Sequence, residues 1–330
     1  MNKLGVGIYG LYSHQIDGLL LDHPRAALVA AAGVDPQQLK KRLGGNVEPV
    51  IYDDLHAMLR DDRVQLVSLA SPRRSEQARQ ALQCMAAGRH VYAEKPAALS
   101  EAELNEIISV SRCTGMRFHE MAGTAFEQPY AAMRDIVRSG RIGQVIQVFA
   151  QKSYPWHERR PQDEAIDGGL VAQVGVHATR MVEHVAGQRV ESVLAIDTKL
   201  GNRDDGGELR MAASIVARLA NGGVASIIVN YLNPRGFGIW GNEHLRIFGS
   251  EGMLESTDGG RRTRLVVGEQ DLGEIDTSTP TRNYFDHYID SLLDGTPMPV
   301  TLEQELHPTR VILRARDSAR AGGTWVATPT

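Results

Sequence analysis

The chain has 330 residues, 42% of them hydrophobic and 23% charged, with a formal net charge of −4. That length suits two domains, and the apolar content supports a sizeable core without metal or disulfide staples. The acidic balance argues against a nucleic-acid-binding surface, and no run approaches the ~20 apolar residues of a membrane span.

Residues 1–121 alternate strand-like and helix-like segments. Leu4–Tyr9, Ala27–Val34, Pro49–Tyr52, Val64–Ala70, His90–Ala93 and Met116–Met121 read as short buried strands. Gln37–Leu43, Leu55–Arg60, Ser75–Ala87 and Ser100–Cys113 read as helices, the last opened by a Ser100 N-cap. Such alternation predicts an α/β unit with a doubly wound parallel sheet. Met1–Ile8 lacks the basic-then-apolar pattern of a signal peptide and reads as the first strand.

The pattern changes in residues 122–330. Glu127–Ser139 and Gly169–Ala186 are amphipathic helical stretches. Val145–Tyr154, Val190–Thr198, Glu208–Leu219, Gly223–Tyr231, Glu243–Phe248 and Arg262–Val267 alternate as strands, separated by glycine-containing turns. Two closing helices follow, near Thr281–Leu293 and Leu302–Ala321. This part predicts an α+β domain with a mainly antiparallel open sheet. Pro155–Asp167 is charged and reads as a long loop at the domain junction. An open sheet face predicts a homodimer or homotetramer. Cys84 and Cys113 fall in helical patterns with no partner spacing, as reduced core thiols of a cytoplasmic protein do. The histidines show no repeated ligand spacing, so no metal is expected.

Chemistry is expected where parallel strands end, because ligands of open α/β sheets bind there. The first strand runs into Gly10–Leu11–Tyr12–Ser13–His14–Gln15. Gly10 holds the place of the first glycine of a dinucleotide turn, Tyr12 and Gln15 those of the second and third. Ser13 and His14 offer polar side chains to a phosphate, and a following helix N-terminus would offer free N–H groups. A plain ligand-free turn fits equally well. Asp35 ends the second strand about 25 residues on, where a carboxylate accepts from ribose hydroxyls and opposes a 2′-phosphate. That favours NAD over NADP; an N-cap role before Pro36 is compatible with it. Glu94–Lys95–Pro96 closes the fifth strand. A lysine there can donate to a substrate oxygen, and the Lys95–Pro96 bond is a candidate for the cis form.

Gly88–Arg89–His90–Val91–Tyr92–Ala93–Glu94–Lys95–Pro96 resembles the GKHV-x-x-EKP signature of the Gfo/Idh/MocA oxidoreductases, with Arg89 for lysine. The resemblance extends along the chain: Leu69–Ala70–Ser71–Pro72, Gly140–Arg141–Ile142–Gly143–Gln144–Val145, Gly168–Gly169–Leu170 leading to Gly175–Val176–His177, Gly249–Ser250–Glu251–Gly252, and Asp317–Ser318–Ala319. It implies a Rossmann domain and hydride transfer between a nicotinamide and a sugar, inositol or related polyol. It also implies roles: Lys95 at the reacting hydroxyl, Ser71, Pro72 and Glu94 along the cofactor groove, and His177 as acid/base. Gln173, one helical turn before His177, shares its face and joins it at the substrate. Trp156 is a candidate to stack on a sugar ring, and Asn230, Tyr231 and Arg235 are candidates to reach the same cleft.

Four positions depart from the family pattern: Tyr12 for glycine, Glu76 for histidine, Gln173 for aspartate, and Arg180 for an acidic residue or histidine. A glutamine orients but cannot ionise. Two other readings therefore stay open, a non-enzymatic ligand sensor on this fold and an NAD-dependent glycosidase.

Overall fold

The computed structural model describes residues 3–121 and 123–329; the start of the Met1–Ile8 segment, Ala122 at the expected domain boundary and Thr330 lie outside them. The chain divides into two compact units. One comprises residues 1–121 with Tyr284–Leu306, the other residues 122–283 with 307–330. The single boundary expected from the sequence is corrected at this return. Tyr284–Leu306 packs with the first unit because its aromatic and acidic side chains are buried there, as described below.

The first unit is built on six parallel strands: β1 (Leu4–Tyr9), β2 (Ala26–Ala32), β3 (Val50–Tyr52), β4 (Leu66–Leu69), β5 (His90–Ala93) and β6 (Phe118–Glu120). Their order is β3-β2-β1-β4-β5-β6, the doubly wound order of a Rossmann sheet, with its switch point between β1 and β4. β4 is buried along its whole length, as a strand covered on both faces must be. Three of the four α-helices between these strands start at a side-chain cap, supplied by Asp35, Asp54 and Ser100. Asp35 accepts from the Gln38 amide at 2.9 Å and Pro36 takes the first turn of α1 (Pro36–Leu43). After α2 (Leu55–Leu59) and α3 (Arg74–Ala86), Ser100 and Glu103 form a capping box on α4 (Glu101–Thr114). Cys84 of α3 is buried, and burial pushes its thiol up. Cys113 is exposed on α4, not a core thiol as expected, because it falls outside the buried stripe of Leu104, Ile107 and Ile108.

One expected element is missing. β1 is followed by a single 3-10 turn, Asp17–Leu20, and not by an α-helix. Gly18 weakens any helix here and Pro24 ends it before one could lengthen.

The second unit carries a nine-stranded sheet, mainly antiparallel. Its strands are β7 (Val145–Ser153), β8 (Val190–Thr198), β9 (Ala212–Leu219), β10 (Val224–Asn230), β11 (Asn242–Gly249), β12 (Gly252–Thr257), β13 (Arg262–Val267), β14 (Gln270–Gly273) and β15 (Val326–Ala327). Their order is β14-β13-β12-β11-β7-β10-β9-β8-β15, with β7 and β10 parallel. β12, β14 and β15 are not among the strands expected from the sequence; β14 and β15, of four and two residues, are too short to show a period of two. Alternate residues such as Val148, Ala150, Ile215, Ile227 and Val229 are buried on one face, against which α7 (Gly169–Arg180) packs. The helix runs on through one π-helical turn, Met181–Val185. The Pro155–Asp167 loop contains the short α6 (Glu164–Asp167), and α5 (Tyr130–Arg138) precedes β7. The closing segment forms α8 (Tyr284–Asp294) and α9 (Leu302–Arg320).

Candidate functional site

In the first unit the turns after β1 and β4 meet at the switch point. Gly10 has φ of +72°, and a Cβ on it would lie 2.2 Å from the Ala70 carbonyl oxygen, so only glycine lets the two turns close. The Tyr12 amide donates to that same carbonyl at 3.2 Å. Gln15 explains how the turn holds without an α-helix. Its buried amide donates to the carbonyls of Gly10 at 3.0 Å and Ser68 at 3.3 Å, while its oxygen accepts from the Ile16 amide at 2.9 Å and the Ser68 hydroxyl at 2.5 Å. A glutamine thus does with hydrogen bonds what the third glycine does by allowing close helix–strand packing. The expectation of a phosphate at an α-helix N-terminus is corrected: the segment is a 3-10 turn of four residues.

Ser13 and His14 are exposed on this loop. Ser13 adopts φ of 63°, and its hydroxyl lies 3.1 Å from His14 Nδ1. His14 Nδ1 also lies 2.9 Å from a carboxylate oxygen of Glu94, which is 1% exposed. Since β4 lies between β1 and β5, this bond crosses the carboxyl end of β4, where Ser71 is buried and Pro72 exposed. Burial alone would push the Glu94 carboxyl up, but His14, Lys95 and Arg74 outweigh it and hold it down at about 2. Lys95 is 1% exposed and its bond to Pro96 is cis. Gln77 and Arg74 of α3 donate to the Glu94 carbonyl, and Gln77 also to that of Pro96 at 3.2 Å, so the turn is fixed from below. Asp35 caps α1 while staying exposed, and a carboxylate has acceptor capacity beyond that one bond. Carboxylate, glycine turn and lysine therefore stand at the carboxyl ends of β2, β1 and β5, and that set fits a dinucleotide laid across those ends.

Sequence reasoning missed a buried acidic network behind this turn. The Ala97 amide donates to the Glu120 carboxylate. Glu305, fully buried, accepts from the Glu120 amide at 2.5 Å and from the Tyr284 hydroxyl, and lies 2.6 Å from His119 Nδ1. Glu120 and Glu305 are 185 residues apart, and no local motif marks such a pair.

In the second unit His177 lies buried on α7, its Nε2 3.5 Å from the hydroxyl of Tyr154. Gln173 is half-buried one turn earlier. Tyr154 is the centre of an aromatic and cationic cluster that the sequence did not single out. The Lys152 ammonium lies 4.8 Å from its ring centroid and is ion-paired with Glu243; Trp240 packs 6.3 Å away and itself stacks on His157 at 5.8 Å. Arg160 lies over Tyr231 at 3.7 Å and over Tyr154 at 5.8 Å. Trp156 is half-buried, with the Arg203 guanidinium 4.4 Å from its ring. Among the other candidates Tyr231 is buried beneath Arg160, the Asn230 side chain accepts from the Leu232 amide at 3.0 Å, and Arg235 is exposed in a 3-10 turn.

Among the described residues no cluster of three or more metal-ligating side chains is present, and no helix is long and apolar enough to cross a membrane. A family model for the NAD-binding Rossmann fold of an oxidoreductase family matches residues 4–121, and the GFO/IDH/MocA C-terminal domain matches 130–255. A myo-inositol 2-dehydrogenase of Thermotoga maritima is 23% identical over 261 residues, covering 78% of this chain and 75% of that protein. A solved structure from Thermotoga maritima, described as an oxidoreductase, superposes with a TM-score of 0.88 at 25% identity over 98% of this chain and 100% of the other. The WlbA dehydrogenase of Bordetella pertussis, solved with NADH and UDP-GlcNAcA, shares the fold at a TM-score of 0.83 and 20% identity, with 100% of both chains covered. With the Rossmann strand order, the Glu94–Lys95–Pro96 turn and both family models in sequence along it, the chain belongs to the Gfo/Idh/MocA family of oxidoreductases.

Proposed function

We propose that this chain is an NAD-dependent dehydrogenase acting on a CH–OH group of a sugar, inositol or related polyol. The observation that carries the reading is Lys95, buried next to Glu94 at the carboxyl end of β5 and fixed from beneath by Gln77 and Arg74. A nicotinamide, when bound, supplies the acceptance or donation of a hydride. Lys95 donates a hydrogen bond to the reacting oxygen and stabilises negative charge developing there. His177 takes the hydroxyl proton on oxidation and returns it on reduction, a task that suits an imidazole near neutral pH. Tyr154 orients the ring from 3.5 Å. Gly10, Ser13, His14, Ser71, Pro72 and Glu94 line the cofactor's path, and Asp35 receives the ribose and disfavours a 2′-phosphate. Gln173 and Trp156 contact the substrate, the first orienting without ionising.

Calorimetric titration with NAD, NADH, NADP and NADPH tests the cofactor assignment. NAD or NADH binds more tightly than its phosphorylated counterpart, and Asp35→Ala weakens it. Failure of all four to bind would overturn the dehydrogenase reading. Cofactor binding without oxidation of any sugar or polyol would instead favour a ligand sensor.

A further inference from the structure

Arg160 is out of place for a structural arginine. It is 9% exposed, yet no carboxylate among the described residues lies within the 4.0 Å ion-pair distance of its guanidinium. It donates to the backbone carbonyl of Pro155 at 2.9 and 3.2 Å and also engages the side chain of Tyr231, a neutral partner. Its flat face rests on Tyr231 at 3.7 Å, with Tyr154 on a further side at 5.8 Å. A carbonyl and two ring faces compensate a buried charge only in part, and an unpaired buried charge is costly. Burial lowers the guanidinium's proton affinity despite the attraction of Tyr231 and Asp167.

The surroundings add positive charge. Lys152 is matched by Glu243. His157 is pushed down by burial and by Arg160, Arg235 and Arg159 together, so three arginines act on one imidazole. That imidazole stacks on Trp240, which is 59% exposed and gives the cluster a flat apolar platform. Tyr154 joins this cluster to His177, since its hydroxyl is 3.5 Å from Nε2 and its ring is shared with Arg160 and Lys152.

We propose that Arg160, flanked by His157 and Trp240, is a subsite for an anionic group on the substrate, so that the molecule processed at His177 is an acidic sugar or polyol. A guanidinium presents a planar fork of donors that matches a carboxylate or a phosphate oxygen pair, while an exposed indole stacks on the apolar face of a sugar ring. A neutral polyol would leave the charge uncompensated; an anion completes it. The substrate assignment rests on the dehydrogenase reading, whereas the anion subsite stands on unit-two geometry alone.

The test is calorimetry on the full chain with three probes, D-glucuronate, glucose 6-phosphate and glucose, with and without NADH. Hydrogen bonds to a charged group are worth ~1.5–3 kcal/mol, so at least one anionic probe binds about tenfold or more tighter than glucose. The preferred probe tells carboxylate from phosphate. Arg160→Gln abolishes the preference, and Arg160→Lys restores part of it. The variant's thermal midpoint separates the subsite from a folding role, because relief of an uncompensated charge leaves the midpoint of Arg160→Gln unchanged or raised. Equal binding of glucose, no binding of either anion, a preference that survives Arg160→Gln, or a lowered midpoint with the preference intact would each overturn the proposal. NADH bound without any anion preference sinks this inference and spares the dehydrogenase reading; an anion preference without NADH binding does the reverse.

Discussion

Glu94 is a carboxylate withdrawn from solvent and still held ionised. Burial raises its pKa, but the imidazole of His14, the ammonium of Lys95 and the guanidinium of Arg74 together bring it to about 2, below the ordinary 4.5. A depressed carboxylate stabilises the fold above its unfolded pKa, and that contribution drains as pH falls from about 4.5 towards 2. A shift of this size corresponds to about 3 kcal/mol. Chemical denaturation across about pH 5 to 2 therefore shows a loss of that order in wild type which Glu94→Gln lacks; parallel curves would contradict it. The Glu94–Lys95–Pro96 motif was legible as residues, while the His14 contact was not, because it joins positions 80 apart across an intervening strand.

Two elements behave differently from their local sequence. The segment after β1 has apolar residues at helical spacing, yet Gly18 and Pro24 leave only a 3-10 turn, and Gln15 takes over the tethering of that turn to β4. The α8 region and the first turn of α9 were legible as helices but not as parts of the first unit. Their attachment runs through buried groups: Glu305 to His119, Tyr284 and the Glu120 amide, and the Tyr288 hydroxyl to the carbonyls of Arg117 at 2.7 Å and Val91 at 3.1 Å. Removing one member of such a network strands the others without solvent. Glu305→Ala should cost about 3–5 kcal/mol in equilibrium unfolding. A cost below about 1 kcal/mol would show that the network is not what holds this segment.

At the scale of the molecule, the second unit's sheet has one face covered by α7 and another that is not covered by its own helices. Ile196, Val216, Val224 and Phe248 project from the uncovered face and are exposed. These apolar side chains alternate with polar ones such as Gln147, Arg218 and Arg246 on the same face, a mixed surface of the kind found at interfaces. We propose that it pairs with a second copy of this chain in a closed dimer or a higher closed oligomer. Light scattering should report an oligomer for wild type and a smaller species for Val216→Asp, which places a charge in the middle of the face; a monomeric wild type would refute the assignment.

The sequence by itself determined the class of the fold, because a period of two or 3.6 residues and a capping residue act over a few positions. It also determined the family, through motifs such as Glu94–Lys95–Pro96 that keep their order and spacing. Tertiary structure alone decided what depends on distance in space. It put Tyr284–Leu306 with the first unit, replaced the expected first helix by a glutamine-tethered turn, and buried Arg160 against Tyr231 and Tyr154. Each of these turns on whether a polar group finds a partner once water is excluded, and that partner is set by packing between segments far apart in the chain.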